Sequence, residues 1–84
     1  MIVVCLFFAY SKELAGCGRR EFDIPEGTNT KQFIDEYLLI EFPKLKESID
    51  SFLIALNQEY VDPTSPKELS SNSEIAVIPP VSGG

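Results

Sequence analysis

The chain has 84 residues, and its 7 Lys and Arg against 13 Asp and Glu give a formal net charge of −6 at pH 7. This length suits one small domain, because a second hydrophobic core would not fit in so short a chain. The chain has no histidine, which excludes Ser-His and Cys-His catalytic pairs and imidazole metal ligands. Nucleic-acid binding rests on clustered Lys and Arg, so the acidic charge argues against that partner and favours a basic protein surface. We expect no metal site and no nucleic-acid partner.

The two cysteines, Cys5 and Cys17, are too few for a disulfide framework. Residues 1–9 are apolar but lack a basic leader, and they fall far short of the roughly 20 residues that cross a bilayer. We therefore expect a cytoplasmic protein, away from membranes, with both thiols reduced. Cys17 lies between two glycines, so we expect it to be the more exposed of the two thiols.

The first half of the chain predicts two strands and a helix. Residues 2–9 are rich in Val, Ile and Phe, which favours a strand buried on both faces. Residues 11–18 end in small residues and read as a connection. Residues 20–24 then alternate polar and apolar side chains before a Pro-Glu-Gly break, which predicts a second strand, antiparallel to the first.

Asn29 is suited to cap the helix, with Gln32 three residues later in a capping-box arrangement. Pro43 disfavours helix at the preceding residue, so the helix is expected to end by Glu41. Residues 44–50 could add a turn or two. The apolar positions at helical spacing are Phe33, Ile34, Tyr37 and Leu38.

The second half predicts three strands, at residues 52–56, 60–61 and 74–78. The order strand, strand, helix, strand, short strand, strand is that of an α+β domain of the β-grasp, ubiquitin-like type. It predicts a mixed sheet of four or five strands with one main helix packed across it. We expect the first and last strands to pair at the centre, because they are the most apolar. The domain is expected to span residues 1–78, and residues 79–84 to form an extended, flexible tail.

The tail carries most of the functional information. The ten residues from Ile75 to Gly84 include no charged side chain, although 24% of the whole chain is charged. Pro79 and Pro80 lack an amide donor, so the last strand cannot continue through them, and they hold the backbone extended. Six extended residues reach roughly 20 Å. The segment is therefore long enough to place a carboxylate in another protein's pocket.

The two last residues, Gly83 and Gly84, have no Cβ, so the backbone there can pass through a narrow channel. The functional group at the tip is then the carboxylate of Gly84. A carboxylate must be activated before acyl transfer, for instance by adenylation. The sequence has no phosphate-binding glycine loop, so we expect a partner to supply the ATP site.

Two segments resemble a known family. Ile78–Gly84 (IPPVSGG) matches the usual Pro-Pro-Val-Ser/Thr-Gly-Gly ending of the small, MoaD-type sulfur carrier subunits of molybdopterin synthase, which have a β-grasp fold. Leu6–Ala9 followed by Lys12–Leu14 is similar to that family's Phe-Phe-Ala and Arg-Glu-Leu. The resemblance extends over essentially the whole chain.

The resemblance implies that an E1-like enzyme adenylates Gly84 with ATP, after which sulfur replaces the adenylate to give a thiocarboxylate (1-thioglycine). The sulfur-loaded tail would then insert into the large synthase subunit and donate sulfur to cyclic pyranopterin monophosphate, forming the dithiolene of molybdopterin. The synthase of this family is a heterotetramer of two small and two large subunits. The chain itself would bind no cofactor and supply no catalytic side chain. The residues implied to position Gly84 are Pro79, Pro80, Val81, Ser82 and Gly83.

Partner contacts beyond the tail are expected on neighbouring sheet residues. The candidates are Phe7, Ile75 and Val77, some of which must also build the core. The alternatives are a sulfur carrier for thiamine or tRNA thiolation, a ubiquitin-like modifier that forms isopeptide bonds with lysines, and an interaction module that uses its β-grasp surface.

Overall fold

The computed structural model of the protein describes residues 1–80. The strands are β1 (Ile2–Phe7), β2 (Arg19–Asp23), β3 (Leu53–Leu56), β4 (Glu59–Tyr60) and β5 (Glu74–Ile78). A short helix, α1 (Tyr10–Ala15), lies between β1 and β2. The main helix consists of α2 (Thr30–Phe33), a π-helical segment (Ile34–Leu38) and α3 (Leu39–Glu41).

The strands form one mixed sheet in the order β2-β1-β5-β3-β4. β1 and β5 are parallel neighbours, with Cys5 opposite Ile75 and Phe7 opposite Val77. The pairs β1–β2, β3–β5 and β3–β4 are antiparallel. The predicted α+β, β-grasp arrangement and the central pairing of the first and last strands are therefore confirmed.

The core lies between the sheet and the main helix. Alternate residues of the two central strands point into it, because successive side chains of a strand face opposite sides of the sheet. Aromatic rings contact edge to face across this layer, with centroids 5.0 Å apart for Phe7–Phe42 and for Phe22–Phe33. The fully buried side chains include Val3, Cys5, Phe33, Leu38, Leu45, Ile75 and Val77.

The main helix begins and ends as the sequence predicts. The Asn29 side chain accepts a hydrogen bond from the Gln32 amide at 2.8 Å, and the Gln32 side chain accepts one from the Asn29 amide at 3.0 Å. This reciprocal pair satisfies two amides that have no partner within the helix. The helix ends at Glu41, before Pro43. Residues 44–50 overlap two single turns of 3₁₀-helix, Pro43–Leu45 and Ile49–Ser51.

Two local predictions are wrong. The segment predicted to be a connection, residues 11–18, overlaps α1, whose six residues are too few for a clear helical period. The first strand is not buried on both faces: Val3, Cys5 and Phe7 are buried, whereas Ile2 is 40% exposed and lies on the other face. The apolar composition of β1 therefore serves one buried face and one partly open face.

A tight turn connects β1 to α1. The Ser11 amide donates to the Phe8 carbonyl at 3.1 Å, and Ala9 has φ 51° and ψ −125°. These angles match the first central position of a type II′ turn, which glycine normally occupies. An L-residue with a side chain is strained there by about 1–3 kcal/mol. The turn therefore stores strain at the point where the chain leaves the centre of the sheet.

We expect Ala9→Gly to stabilise the protein by about 1 kcal/mol, because the relief of strain exceeds the extra backbone entropy that glycine loses on folding. Urea denaturation measures the free energy of unfolding. The matched control is Ala15→Gly in α1, which should destabilise by roughly 0.5–1 kcal/mol, since that position is helical. Equal destabilisation by both changes would contradict the strain at Ala9.

Candidate functional site

The sheet face away from the main helix, called here the open face, carries an apolar patch. Three of its members are substantially exposed: Phe8 (47%), Leu53 (45%) and Tyr60 (72%). The patch borders a shallow depression of about 340 Å³. By register and by their position around this depression, the members of the apolar patch are Leu6, Phe8, Leu53, Tyr60, Ala76 and Ile78. An exposed apolar surface of this kind is typical of a protein-binding site.

The apolar patch surrounds the place where the chain leaves the sheet. β5 ends at Ile78, which pairs with Leu53 on one side, while the Phe8 amide on the other side donates to the Val77 carbonyl at 3.3 Å. Pro79 is half-buried and Pro80 is exposed. Any segment that follows Pro80 therefore starts from the edge of the apolar patch. The predicted site residues Val81, Ser82, Gly83 and Gly84 lie outside the described residues.

The opposite end of the open face is acidic. Val4 has Glu21 on one neighbouring strand and Glu74 on the other, all on the same face. Arg19 forms an ion pair with Glu21 at 2.8 Å. Glu74 and Ile78 are four positions apart on β5, a distance of about 13 Å along the strand. The open face thus presents an apolar surface beside the tail and carboxylates at its far end.

The structure corrects the expected exposure of Phe7, Ile75 and Val77, which it places in the core. Phe7 is 2% exposed, and Ile75 and Val77 are fully buried beneath the main helix. Because the strand period is two, the residues one position further along lie on the opposite, accessible face and belong to the apolar patch. Glu74 could have shown from the sequence which residues of β5 face solvent, because a lone carboxylate at the start of a strand is rarely buried. Ala76 and Ile78 share its face, so they could have been assigned to the surface.

Both cysteines are free thiols, as predicted. Burial raises the pKa of the Cys5 thiol far above its ordinary value, with a smaller contribution from Cys17. Cys17 is half-buried, which confirms it as the more exposed thiol. Within residues 1–80, the structure has no group of three or more side chains suited to hold a metal ion. Of the helices described, none is both long and apolar enough to cross a membrane.

Fold and site together define a class of protein: a β-grasp domain that presents an apolar sheet face around the exit of its C-terminal strand. The chain belongs to the ThiS family, whose model matches residues 5–84.

Three known proteins illustrate this relationship. The molybdopterin synthase sulfur carrier subunit of Chlamydomonas reinhardtii is 36% identical over 84 residues, which is the whole of both chains. SAMP1 of Haloferax volcanii has the same fold, with a TM-score of 0.86 and 23% identity over all of both chains. A chain from the complex of subunits 1 and 2 of the molybdopterin-converting factor of Helicobacter pylori is 28% identical over all of both chains, with a TM-score of 0.72.

We expect iodoacetamide to modify Cys17 in the native protein and Cys5 only after unfolding, because the Cys5 thiol is buried and therefore protonated. Peptide mass spectrometry would locate the modified residue before and after addition of denaturant. Native Cys17→Ser protein, the matched control, should remain unmodified. Equal rates for the two thiols in the folded protein would contradict the burial of Cys5.

Proposed function

We propose that the chain is the sulfur carrier subunit of a molybdopterin synthase and that Gly84 carries the sulfur. The observation that carries this proposal is the 36% identity to a molybdopterin synthase sulfur carrier subunit, because the similarity extends over the full length of both chains. The geometry of the open face supports it. The apolar patch surrounds the exit of β5, where a partner that binds the tail would make contact.

The chemistry proceeds in three steps. An E1-like partner transfers AMP from ATP to the Gly84 carboxylate and releases pyrophosphate. A sulfur donor then displaces AMP, which leaves a thiocarboxylate. In the large subunit the thiocarboxylate donates its sulfur to cyclic pyranopterin monophosphate, and two carriers are used for each dithiolene. Gly83, Ser82 and Val81, with Pro79 and Pro80, place Gly84 in the active sites of these partners.

The partners supply the catalytic groups, and this chain supplies docking. The Helicobacter pylori protein that this chain resembles forms a complex of subunits 1 and 2, which supports an analogous large subunit as partner here. We infer a heterotetramer of two small and two large subunits in the cytosol. The large subunit would cover the apolar patch with apolar side chains. It would also present basic side chains near Glu21 and Glu74, because charge complementarity fixes the orientation of docking.

Burial of the apolar patch offsets the entropy lost when the tail is ordered. Fixing the backbone of each residue costs about 1–2 kcal/mol, and the proline rings of Pro79 and Pro80 already restrict two of the six tail residues. Burial of apolar surface stabilises the complex by about 25 cal/mol per Å². The apolar patch therefore contributes binding free energy that the glycines of the tail, which have no side chains to bury, cannot supply.

Incubation with an E1-like partner, ATP and a sulfur donor should increase the mass of the chain by one oxygen-to-sulfur exchange. The exchange requires an activated carboxylate, and Gly84 is proposed to carry it. Intact mass spectrometry measures the change, and fragmentation locates it at Gly84. The same measurement on protein from its native source tests whether Gly84 is the C-terminus.

The matched control lacks Gly84 and should gain no sulfur while it remains folded, because the partner's active site no longer receives the carboxylate at the correct distance. Sulfur transfer by this deletion variant would contradict the proposal. Lysine-linked adducts in place of the sulfur exchange would instead support the ubiquitin-like modifier.

Phe8→Lys should weaken binding to the large subunit by about tenfold or more, because it places a cation in an apolar contact next to the tail. Isothermal titration calorimetry measures the dissociation constant. The matched control is Ile40→Lys, since Ile40 is 74% exposed and lies on the main helix rather than on the open face. We expect Ile40→Lys to bind like the unmodified chain. Tight binding by Phe8→Lys would exclude the open face as the docking surface.

A further inference from the structure

The hydroxyl of Ser11 contacts the last core-facing peptide before the tail. Ser11 is fully buried. Its Oγ lies 2.8 Å from the Val77 carbonyl and 2.8 Å from the Phe8 carbonyl, and it accepts a hydrogen bond from the Phe8 amide at 2.9 Å. The hydroxyl therefore joins the end of β1, the start of α1 and the end of β5.

On the β1 side, the backbone holds the Val77 carbonyl through a long hydrogen bond. The Phe8 amide donates to the Val77 carbonyl at 3.3 Å, which is longer than the usual 2.9–3.0 Å. Pro79 and Pro80, just beyond, have no amide hydrogen with which to continue the ladder. The Ser11 hydroxyl lies 2.8 Å from the Val77 carbonyl, closer than the Phe8 amide. A side chain thus reinforces the ladder at the place where the backbone ladder must stop.

The turn that delivers Ser11 is itself strained. Ala9 adopts a backbone conformation that favours glycine, with φ 51°, and this conformation reverses the chain so that Ser11 lies against Val77. A less strained connection between β1 and α1 would place the hydroxyl elsewhere. Strain that persists at one point of a fold is a reason to look for a role there.

We propose that Ser11 is a positioning residue for sulfur transfer: its hydroxyl fixes the Val77 peptide and so sets the direction in which Pro79 and Pro80 lead toward Gly84. This inference rests on the function proposed above. Pro79 and Pro80 have fixed φ angles, so a rotation of the Val77 peptide is carried through both residues. A misplacement of about 1 Å at a reacting group can slow a reaction by about 10²-fold.

The test compares Ser11→Ala with Ser73→Ala. Ser73 is a matched control, because it is 2% exposed and directly precedes β5, at the opposite end from the tail. Its hydroxyl accepts a hydrogen bond from the Ser70 amide at 2.9 Å. Each variant removes one buried hydroxyl next to the same strand, but only Ser11→Ala loosens the tail end.

The first readout is single-turnover sulfur transfer from the thiocarboxylated chain to cyclic pyranopterin monophosphate, at saturating large subunit. Ser11→Ala should slow transfer about tenfold or more. The dissociation constant between the large subunit and the chain without its thiocarboxylate should stay within about twofold, because the apolar patch is intact. Ser73→Ala should change neither quantity, and Ser11→Thr, which keeps the hydroxyl, should restore the rate. Transfer by Ser11→Ala at the unmodified rate, or an equal loss in Ser73→Ala, would overturn the proposal.

The second readout does not depend on activity. The N–H residual dipolar coupling of Ile78 reports the orientation of the peptide that follows Val77, and it should change in Ser11→Ala but not in Ser73→Ala. An unchanged coupling in Ser11→Ala overturns the positioning role. If the unmodified chain transfers no sulfur, the proposed function fails, and this coupling still decides whether Ser11 orients the end of β5.

Discussion

The parallel pairing of β1 with β5 is the constraint on which the rest of the molecule depends. It brings the first and last strands to the centre of the sheet, with β2 beside β1 and β3 beside β5. A central strand has neighbours on both sides, so the backbone of β5 is held along its length up to Ile78. The position from which the tail leaves is therefore fixed by the most strongly connected part of the fold.

The same pairing explains why the central strands are apolar on both faces. One face builds a core that is marginal in a chain of 84 residues, and the other face remains available to a partner. The apolar patch lies at the C-terminal end of β5, whereas Glu21 and Glu74 lie toward its beginning. Phe8 belongs to the patch, and its backbone is also part of the turn that brings Ser11 to Val77. The apolar patch and the tail exit thus share one short stretch of chain.

A carrier with this architecture separates docking from chemistry. Its reactive group, as proposed, is its own C-terminus. The fold therefore needs only to present a surface to the partner and to set the direction in which the tail leaves β5. The absence of histidine from the sequence fits this division. The carboxylates of Glu21 and Glu74 contribute to the net charge of −6 and lie on the open face toward the beginning of β5, whereas the tail leaves from its end. Charge can then orient the carrier on a basic partner without lying in the path of the tail.

The sequence by itself determined the order of the strands and the main helix, the capping of that helix and its end before Pro43, the break after Ile78 and the glycine-ended tail. These features follow from local chemistry: side-chain capping, missing proline amides and apolar periodicity. Tertiary structure decided which face of β1 is core, since both of its faces are apolar and a shift of one residue exchanges them. It also decided that α1 forms, that Ala9 adopts a glycine-like conformation and that Ser11 contacts Val77. Contacts between residues 66 positions apart arise only when the strands pair, and no local pattern encodes them.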